Sequence, residues 1–426
     1  MAKAIIIAAP SSGSGKTLIT LGLIRALKNK GLKVASAKIG PDYIDGPFHQ
    51  AASSSPCINL DYWAMGFASC AARLEEIGFG QDLVVIEGVM GLFDGPDGAK
   101  GSTADLAEKL GLPILLVVDA ARQAQSIAAL VHGFTSFEPA LKFAGVILNR
   151  VASDRHKSML LRALDKIPCP VLGVMRHNDS HIMQSRHLGL VQAMENQKLE
   201  SFIESVAAGV ARETILDNIY ESAADIANQA VTDNFSLPPL AQRTAIACDE
   251  AFAFCYPHIL RDWRKAGAEL TFFSPLRDET ANGDAIFLPG GYPELHAGKL
   301  AANVKFLNSL RQHKGLIYGE CGGYMVLGES LIDKNKTRHA MAGLLPVTTS
   351  FANGKLHLGY RQLLPLGNSF KTALRGHEFH YSSIESQGKT DALFHAKDAI
   401  GGDLGKIGQR VGHVMGSYAH VISEAP

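Results

Sequence analysis

Short, continuous apolar runs dominate the first half of the chain, and most of them are followed by a segment with helical spacing of apolar residues. The runs are rich in Ile, Val and Leu, and nearly all end at glycine, proline or aspartate. Continuous rather than alternating runs are typical of strands that are buried on both faces of a parallel sheet. The pattern predicts a doubly wound α/β domain with its ligand sites at the carboxyl ends of the strands. The predicted strands are 3–9, 33–38, 82–87, 113–119, 144–149 and 169–174.

The pattern changes after a stretch at 194–230 that has the apolar spacing of amphipathic helices. Residues 231–243 include adjacent prolines and have no helical period, which indicates a domain boundary. We therefore predict one domain over 1–230, a linker over 231–243 and a second α/β domain over 244–426. The strands predicted in the second domain are 244–248, 269–273, 284–288 and 315–319, and they precede a Gly-rich end with antiparallel character.

Composition and charge narrow the class of protein. The 426 residues are 46% hydrophobic and 19% charged, with 41 Lys and Arg against 41 Asp and Glu. A balanced charge provides no general attraction to nucleic acid or to an anionic membrane, and no apolar run reaches the roughly 20 residues of a membrane-spanning helix. Six cysteines without a CxxC pair indicate free thiols in a reducing cytoplasm. We expect a cytoplasmic enzyme that acts on small molecules.

The first candidate site is a phosphate-binding loop between the first strand and the helix that follows it. Residues 3–17 read KAIIIAAPSSGSGKT, although Pro10 stands where the full G-x-x-x-x-G-K-[ST] pattern has its first glycine. Glycines allow backbone N–H groups to converge on phosphates, a lysine adds a point charge, and a threonine hydroxyl can bind Mg²⁺. The residues predicted to bind the phosphates are Gly13, Ser14, Gly15, Lys16 and Thr17.

Charged residues follow two further predicted strands. The segment 38–45 reads KIGPDYID, and 82–95 reads DLVVIEGVMGLFDG. Mg²⁺ prefers a few carboxylates together with phosphate oxygens and water. We therefore predict phosphate contact by Lys38 and a metal site made by Thr17, Asp45 and Glu87. Asp42, Tyr43 and Asp94, in the same two segments, are candidates for contact with the substrate.

The second candidate site is a cysteine on a strand-to-helix turn. Residues 315–324 read GLIYGECGGY, so that Cys321 faces the first N–H groups of a helix. Those donors and the helix dipole are expected to favour the thiolate. His420, in the segment GSYAH, is the candidate base. Gly290, Gly291 and Gly322 are candidates for an oxyanion hole.

The remaining cysteines and two histidines have plainer interpretations. The cysteines at 57, 70, 169, 248 and 255 lack such surroundings and are expected to lie in the core. The segment 375–382 reads RGHEFHYS, which is not the spacing of a zinc-binding helix. We expect its histidines to lie near the thiol site rather than in a metal centre.

Nine motifs in order resemble the a,c-diamide synthases of cobalamin biosynthesis, over essentially the whole chain. The motifs are SSGSGKT, KIGPDYID, EGVMGLFDG, GVILNRV, RHLGL, PGGYPELH, ECGGYMVLG, RGHEFHYS and GSYAH. The resemblance implies a dethiobiotin-synthetase-like nucleotide-binding fold followed by a class I glutamine amidotransferase domain. It also implies glutamine hydrolysis at Cys321, ATP·Mg²⁺-dependent phosphorylation of a corrin carboxylate, and displacement of phosphate by ammonia. A homodimer is an expectation of the same kind.

The chain departs from the family pattern at two places. The amidotransferase triad usually ends His-x-Glu, whereas His420 is followed by Val421 and Ile422. Another group must therefore orient the histidine. Ser185 precedes Arg186 and His187 where glutamate is usual, so an acid role is not expected there while Arg186 and His187 remain candidates.

The resemblance leaves several functions open. The corrinoid can be cobalt-containing cobyrinic acid or metal-free hydrogenobyrinic acid, and the segments DYWAM and DAARQAQSIAALVHGF favour the metal-free branch. A cobyric acid synthase is a related alternative that the PDYID and GLFDG motifs disfavour. A nucleotide-binding regulator with an inactive amidotransferase domain is an alternative of another class, and the presence of Cys321 and His420 disfavours it.

Overall fold

The computed structural model describes residues 2–183, 185–186, 189–227, 237–368 and 370–426. The chain divides into two compact units, Met1–Asn234 and Phe235–Pro426. Much of the predicted linker (231–236) and the end of the predicted helical stretch (228–230) lie outside the described residues. Among the described helices, none has the length and hydropathy that crossing a bilayer requires.

The first unit alternates strands and helices as its apolar runs predict. Its strands are β1 (Lys3–Ala8), β2 (Val34–Ile39), β3 (Cys57–Leu60), β4 (Leu83–Glu87), β5 (Ile114–Asp119), β6 (Phe143–Val151), β7 (Val171–Arg176), β8 (Ser185–Arg186), β9 (Gly189–Leu190) and β10 (Ala224–Asp225). Its helices are α1 (Lys16–Asn29), α2 (Asp45–Ser53), α3 (Tyr62–Gly78), α4 (Thr103–Leu110), α5 (Ile127–Ser136), α6 (Asp154–Leu164), α7 (Leu199–Glu213) and α8 (Leu216–Ser222).

A parallel sheet organises this unit. Its strand order is β3-β2-β4-β1-β5-β6-β7, and β10 adds to β1 in the antiparallel sense. The parallel register aligns the strand ends, because Lys38 at the end of β2 is the partner of Glu87 at the end of β4. The carboxyl ends of neighbouring strands therefore lie side by side, and the phosphate loop follows the central strand β1. The doubly wound fold predicted from the sequence is confirmed.

Two local predictions in this unit need correction. Strand β3 was not predicted, because its apolar run is only four residues long and follows Pro56. The predicted helical stretch 194–230 is interrupted between α7 and α8 and ends in the short strand β10.

The second unit begins with another parallel sheet. Its strands are β11 (Arg243–Ala247), β12 (Glu269–Phe273), β13 (Ala285–Leu288), β14 (Leu316–Glu320), β15 (Ser330–Ile332), β16 (Arg338–Ala340), β17 (Val347–Ser350), β18 (His357–Pro365), β19 (Leu374–His380), β20 (Ser383–Gln387), β21 (Phe394–Lys397), β22 (Asp403–Ile407), β23 (Gln409–Val411), β24 (Val414–Ser417) and β25 (His420–Glu424). Its helices are α9 (Pro257–Lys265), α10 (Ala297–Ala302), α11 (Val304–Gln312) and α12 (Gly322–Leu327).

The sheets of this unit bring distant segments together. The main sheet has the order β12-β11-β13-β14-β24-β23 and is parallel except for β23. A separate antiparallel sheet has the order β22-β21-β18-β19-β25. Strand β24 pairs with β14, and the chain then turns into β25. This turn carries His420 from the far end of the sequence to the end of β14, where Cys321 lies.

Candidate active site

The phosphate loop has the backbone that its glycines predict. Gly13 and Gly15 have positive φ angles of 79° and 93°, a region that L-residues rarely adopt. Asn149, at the end of β6, donates a hydrogen bond from Nδ2 to the carbonyl of Ser14 over 2.9 Å. A Cβ on Gly15 would lie 2.2 Å from that nitrogen. Asn149 thus fixes the loop, a role that the GVILNRV motif alone did not indicate.

Lys16 is tethered between two strand ends. Its ammonium donates hydrogen bonds to the carbonyls of Ser11 and Met90. Burial lowers the Lys16 pKa, and the negative charge of Glu87 acts in the opposite direction. Met90 has a positive φ of 49°, and Gly91 approaches the phosphate loop so closely that a Cβ there would lie 2.6 Å from the carbonyl oxygen of Pro10. The loop after β4 therefore packs directly on the phosphate loop.

The three predicted metal ligands converge. The Thr17 hydroxyl donates to Glu87 Oε1 over 2.8 Å and lies 3.3 Å from Asp45 Oδ2. Glu87 is fully buried, and Asp45 is 8% exposed. Burial and the neighbouring charge of Asp42 raise the pKa of Asp45 to about 7, although Lys38 acts against this shift. Two acids and a hydroxyl from three different elements thus share one small volume.

Lys38 lies among the carboxylates of this cluster. Its ammonium lies 2.6 Å from Asp45 Oδ2, 2.9 Å from Glu87 Oε1 and 3.7 Å from Asp42 Oδ2. Burial alone would lower the Lys38 pKa, but the charges of these carboxylates hold it well above its usual value. Lys38 is therefore a buried counter-ion of the acidic cluster, and its contact with phosphate stays a prediction.

The donor set fits Mg²⁺ when nucleotide oxygens complete it. Among the described residues, no group of three His, Cys, Asp or Glu side chains has the arrangement of a metal site. The oxygens of Thr17, Asp45 and Glu87 are hard ligands, and Mg²⁺ is usually held by one or two carboxylates together with phosphate and water. Lys38 already bridges the two carboxylate oxygens, which marks this position as one that favours positive charge.

A buried histidine supports the cluster from behind, and the sequence did not indicate it. His49 Nε2 lies 2.6 Å from Glu87 Oε2, and its Nδ1 lies 3.6 Å from the sulfur of Cys57. Burial would lower the His49 pKa, but hydrogen bonds with Cys57 and Glu87 raise it to about 10. Both oxygens of Glu87 are thus held, one by His49 and the other by Lys38 and Thr17.

The three residues predicted to contact the substrate differ in burial and in hydrogen bonding. Asp42 Oδ1 accepts the N–H groups of Ile44 and Asp45 at the start of α2. Tyr43 is only 4% exposed, so its ring packs inside the protein. Asp94 is exposed and accepts the Gly91 N–H over 2.8 Å.

The candidates of the RHLGL motif are described only in part. Arg186 forms a bidentate pair with Glu195, and His187 lies outside the described residues.

In the second unit, Cys321 lies at a strained turn between β14 and α12. Its backbone has φ 46° and ψ −104°, and the first residue of α12 is Gly322. Close packing requires glycine on both sides, because a Cβ on Gly319 or Gly323 would lie within 2.8 Å of neighbouring backbone or side-chain atoms. The side chain of Cys321 is 1% exposed. Strain of this kind at a buried thiol is typical of a functional position.

Burial opposes the effect that the helix N-terminus was expected to have on the Cys321 thiol. Burial raises the pKa of the thiol far above its usual value, and the charges of Glu294, Glu378 and Glu320 add to the rise. The hydrogen bond from the Gly322 N–H acts the other way but is smaller. The six-residue helix α12 does not outweigh desolvation together with three acids. Burial and these neighbouring charges therefore favour the neutral thiol over the thiolate.

His420 lies beside Cys321, with Gly290 between them. A Cβ on Gly290 would lie 2.3 Å from His420 Cε1, 2.9 Å from His420 Nε2 and 3.3 Å from the Cβ of Cys321. His420 is fully buried, and burial, with a further contribution from His377, lowers its pKa to about 3. A neutral imidazole can accept a proton, so the pair consists of a thiol and an uncharged base.

The glycines predicted for an oxyanion hole surround the same turn. The Gly290 carbonyl accepts the N–H of Phe254, which fixes the loop after β13. A Cβ on Gly322 would lie 3.1 Å from the nitrogen of Gly291, so these two residues are in close contact. Their backbone therefore lies next to Cys321.

The predicted positions of other histidines and cysteines of this unit are only partly confirmed. His377 and His420 are register partners on β19 and β25, and His380 stacks on Tyr418 at 3.9 Å. These histidines lie near the thiol site, as expected. Cys248, however, is exposed, which corrects the expectation that it lies in the core, and Cys255 is only half-buried.

Comparisons with known proteins follow the same division of the chain. Residues 5–190 match the CobQ/CobB/MinD/ParA nucleotide binding domain, and residues 243–426 match the CobB/CobQ-like glutamine amidotransferase domain. The hydrogenobyrinate a,c-diamide synthase of a Sinorhizobium species is 50% identical over 99% of this chain and 99% of its own. The enzymes of that name from Brucella anthropi and Rhizobium meliloti are 51% and 49% identical, each over at least 98% of both chains.

The chain belongs to the hydrogenobyrinate a,c-diamide synthase family. This confirms the family resemblance seen in the motifs and the two-domain fold class. The protein is thus an amide-forming ligase that uses glutamine and joins a nucleotide-binding domain to a glutamine amidotransferase domain.

Proposed function

We propose that this protein converts the a and c acetate carboxylates of hydrogenobyrinic acid to amides, with ATP as phosphoryl donor and glutamine as nitrogen source. The names of the relatives support the metal-free corrinoid as substrate. The observation that carries the proposal is the adjacency of Cys321 and His420 across Gly290, in a chain that also has a phosphate loop with an acidic cluster. Cys321 and His420 can release ammonia from glutamine. The phosphate loop and the acidic cluster can activate a carboxylate.

Glutamine hydrolysis begins at Cys321. The sulfur attacks the carboxamide carbon of glutamine while the thiol proton moves to His420 Nε2, and the N–H groups of Gly291 and Gly322 receive the developing oxyanion. His420 then gives the proton to the departing ammonia. Water hydrolyses the resulting thioester to glutamate, which restores the thiol.

The acidic cluster and the phosphate loop serve the second half of the reaction. The backbone of Gly13–Gly15 and the ammonium of Lys16 are placed to hold the phosphates of ATP, and Thr17, Asp45 and Glu87 would hold Mg²⁺. A bound Mg²⁺ neutralises charge on the transferred phosphoryl group. Lys38 and His49 keep the two carboxylate oxygens of Glu87 in fixed directions.

Phosphoryl transfer makes the carboxylate reactive towards ammonia. An oxygen of the corrin carboxylate attacks the γ-phosphorus, the bond to the β-phosphate breaks, and ADP leaves. Ammonia then attacks the acyl carbon, and inorganic phosphate departs with the oxygen that came from the carboxylate. Asp42 lies 3.7 Å from the Lys38 ammonium, and Asp42, Tyr43 and Asp94 are the candidates to contact this substrate.

Isotope transfer tests the mechanism. Corrinoid labelled with ¹⁸O in its carboxylates, incubated with ATP, Mg²⁺ and ammonia, should yield one labelled oxygen in inorganic phosphate for each amide formed. Label found in AMP would mean adenylation and would exclude an acyl phosphate. Parallel assays with cobyrinic acid and hydrogenobyrinic acid test the substrate, and the proposal expects the larger kcat/KM for the metal-free ring.

Two further features belong to the proposal. All six cysteines are free thiols, which supports a reducing cytoplasm. A homodimer rests on the family resemblance alone and is tested by light scattering at several protein concentrations.

A further inference from the structure

The position of His420 raises the question of what orients its imidazole, because the residue two places after it is Ile422 rather than glutamate. A general base must present one ring nitrogen to the thiol, and the partner of the other nitrogen usually decides which one carries the proton. The answer therefore lies with the groups around His420 Nδ1.

A carboxylate from another part of the chain faces that nitrogen. Glu320 Oε2 lies 3.8 Å from His420 Nδ1. Glu320 is 3% exposed and is the last residue of β14, immediately before Cys321. A separation of 3.8 Å is longer than a hydrogen bond, but catalytic hydrogen bonds are often long without substrate and shorten when substrate binds.

The other oxygen of Glu320 is held in place. Oε1 accepts a hydrogen bond from the Tyr318 hydroxyl over 3.0 Å and another from the backbone N–H of Val421 over 3.0 Å. Val421 follows His420 directly, so Glu320 is fastened to the same segment of β25 that carries the imidazole. With Oε1 occupied, Oε2 is the oxygen that remains directed at His420.

We propose that Glu320 is the positioning residue of His420 and takes the place of the glutamate that the sequence lacks after the histidine. Its carboxylate accepts a hydrogen bond from Nδ1–H of His420, so that the proton stays on Nδ1 and the lone pair of Nε2 can receive the thiol proton. Nucleophile and orienting acid are thus consecutive in sequence, on opposite sides of one strained turn. This inference rests on the proposed glutaminase role of Cys321 and His420.

The protonation of Glu320 supplies a signature that can be measured. Burial raises the pKa of Glu320 to about 8, and the hydrogen bonds from Val421 and Tyr318 oppose the rise. Ionised Glu320 is the form that best accepts the hydrogen bond from Nδ1–H, so glutaminase activity should rise as pH increases through about 8. Other titratable groups near the pair are His377 and Cys255, and Glu294 and Glu378 act on Cys321.

The decisive variant is Glu320→Gln in the full chain. A glutamine carbonyl still accepts from Tyr318 and Val421, so the buried hydrogen bonds persist while the charge is lost. We expect kcat for glutamine hydrolysis to fall at least tenfold with KM within about twofold, and the rise towards pH 8 to disappear. Ammonia-driven synthesis should be unchanged. Glu385→Gln, which removes an exposed carboxylate of the same unit, is the matched control and should alter none of these values.

Tyr318→Phe provides a second test that does not depend on the folding of the first variant. It removes one donor that stabilises ionised Glu320, so the rise in activity should move to higher pH while the plateau is retained. A Glu320→Gln enzyme with the kcat and pH profile of the parent would overturn the inference, as would a Tyr318→Phe enzyme with an unshifted profile. Cys321→Ser in the same assays tests the glutaminase role separately.

Discussion

Gly290 leaves no room for a methyl group beside His420. A Cβ added at this position would lie 2.3 Å from Cε1 of the imidazole, well inside van der Waals contact. Only glycine at this position allows the loop after β13 to approach His420 so closely. This requirement is separate from any role of the Gly290 N–H group.

Gly290→Ala should accordingly displace His420 and lower glutaminase kcat at least tenfold. Ammonia-driven synthesis should continue, because the phosphate loop lies in the other unit. The matched control is Gly298→Ala, where the nearest atom to an added Cβ is 3.6 Å away. Equal glutaminase rates for Gly290→Ala and the parent would mean that a methyl group at residue 290 does not disturb His420.

Cys321→Ser should abolish synthesis with glutamine and leave synthesis with ammonium salts at raised pH. The serine hydroxyl is far less nucleophilic than the thiol in this setting, whereas the acidic cluster is untouched. Amide formation is measured by mass spectrometry with each nitrogen source. Cys248→Ser, at an exposed cysteine, is the control. Loss of the ammonia-driven reaction would contradict the assignment of the two half-reactions to separate sites.

Lys16→Ala should reduce amidation with either nitrogen source. Charge-assisted hydrogen bonds contribute about 1.5–3 kcal/mol, or roughly 10- to 150-fold in rate or affinity. Glutaminase activity without ATP should persist, and its loss would indicate misfolding instead. Lys33→Ala removes an exposed lysine from the same unit and should leave both activities as they are.

The raised pKa of the Cys321 thiol predicts slow alkylation of the free enzyme. Iodoacetamide reacts with thiolates, so at pH 7.5 the exposed Cys248 should be modified well before Cys321. Because an acid with a raised pKa ionises only as pH increases, the modification rate of Cys321 should still be rising at pH 9. Peptide mass spectrometry after timed quenching measures both sites. Rapid, pH-independent alkylation of Cys321 would restore the thiolate interpretation.

The sequence predicted the parallel sheets because continuous apolar runs reflect burial on both faces, which is a local property. It missed β3, whose run is too short to stand out. It also predicted that Thr17, Asp45 and Glu87 would lie near one another, because strands of one sheet end at the same edge. Residues far apart in sequence could be placed together because a regular parallel sheet aligns the ends of its strands.

The features that the sequence did not indicate depend on how deeply a side chain is buried and on which neighbour it faces. The burial of Lys38 among three carboxylates follows only from the packed structure. The same holds for the Cys321 thiol, where the effect of desolvation on the pKa exceeds that of a short helix. Glu320 was overlooked because its relation to His420 arises from the turn between β24 and β25, which no motif describes.

The pairing of Lys38 with Glu87 also bears on how the chain aligns its strands during folding. The two residues are opposite one another on β2 and β4, and a shift of one residue would place Lys38 opposite Ile86. Such a shift would turn the ammonium to the other face of the sheet, away from its carboxylates. Leaving a buried charge without its partner costs about 3–5 kcal/mol. The pair of Lys38 and Glu87 therefore penalises the wrong alignment of β2 and β4, in addition to the apolar packing of these strands.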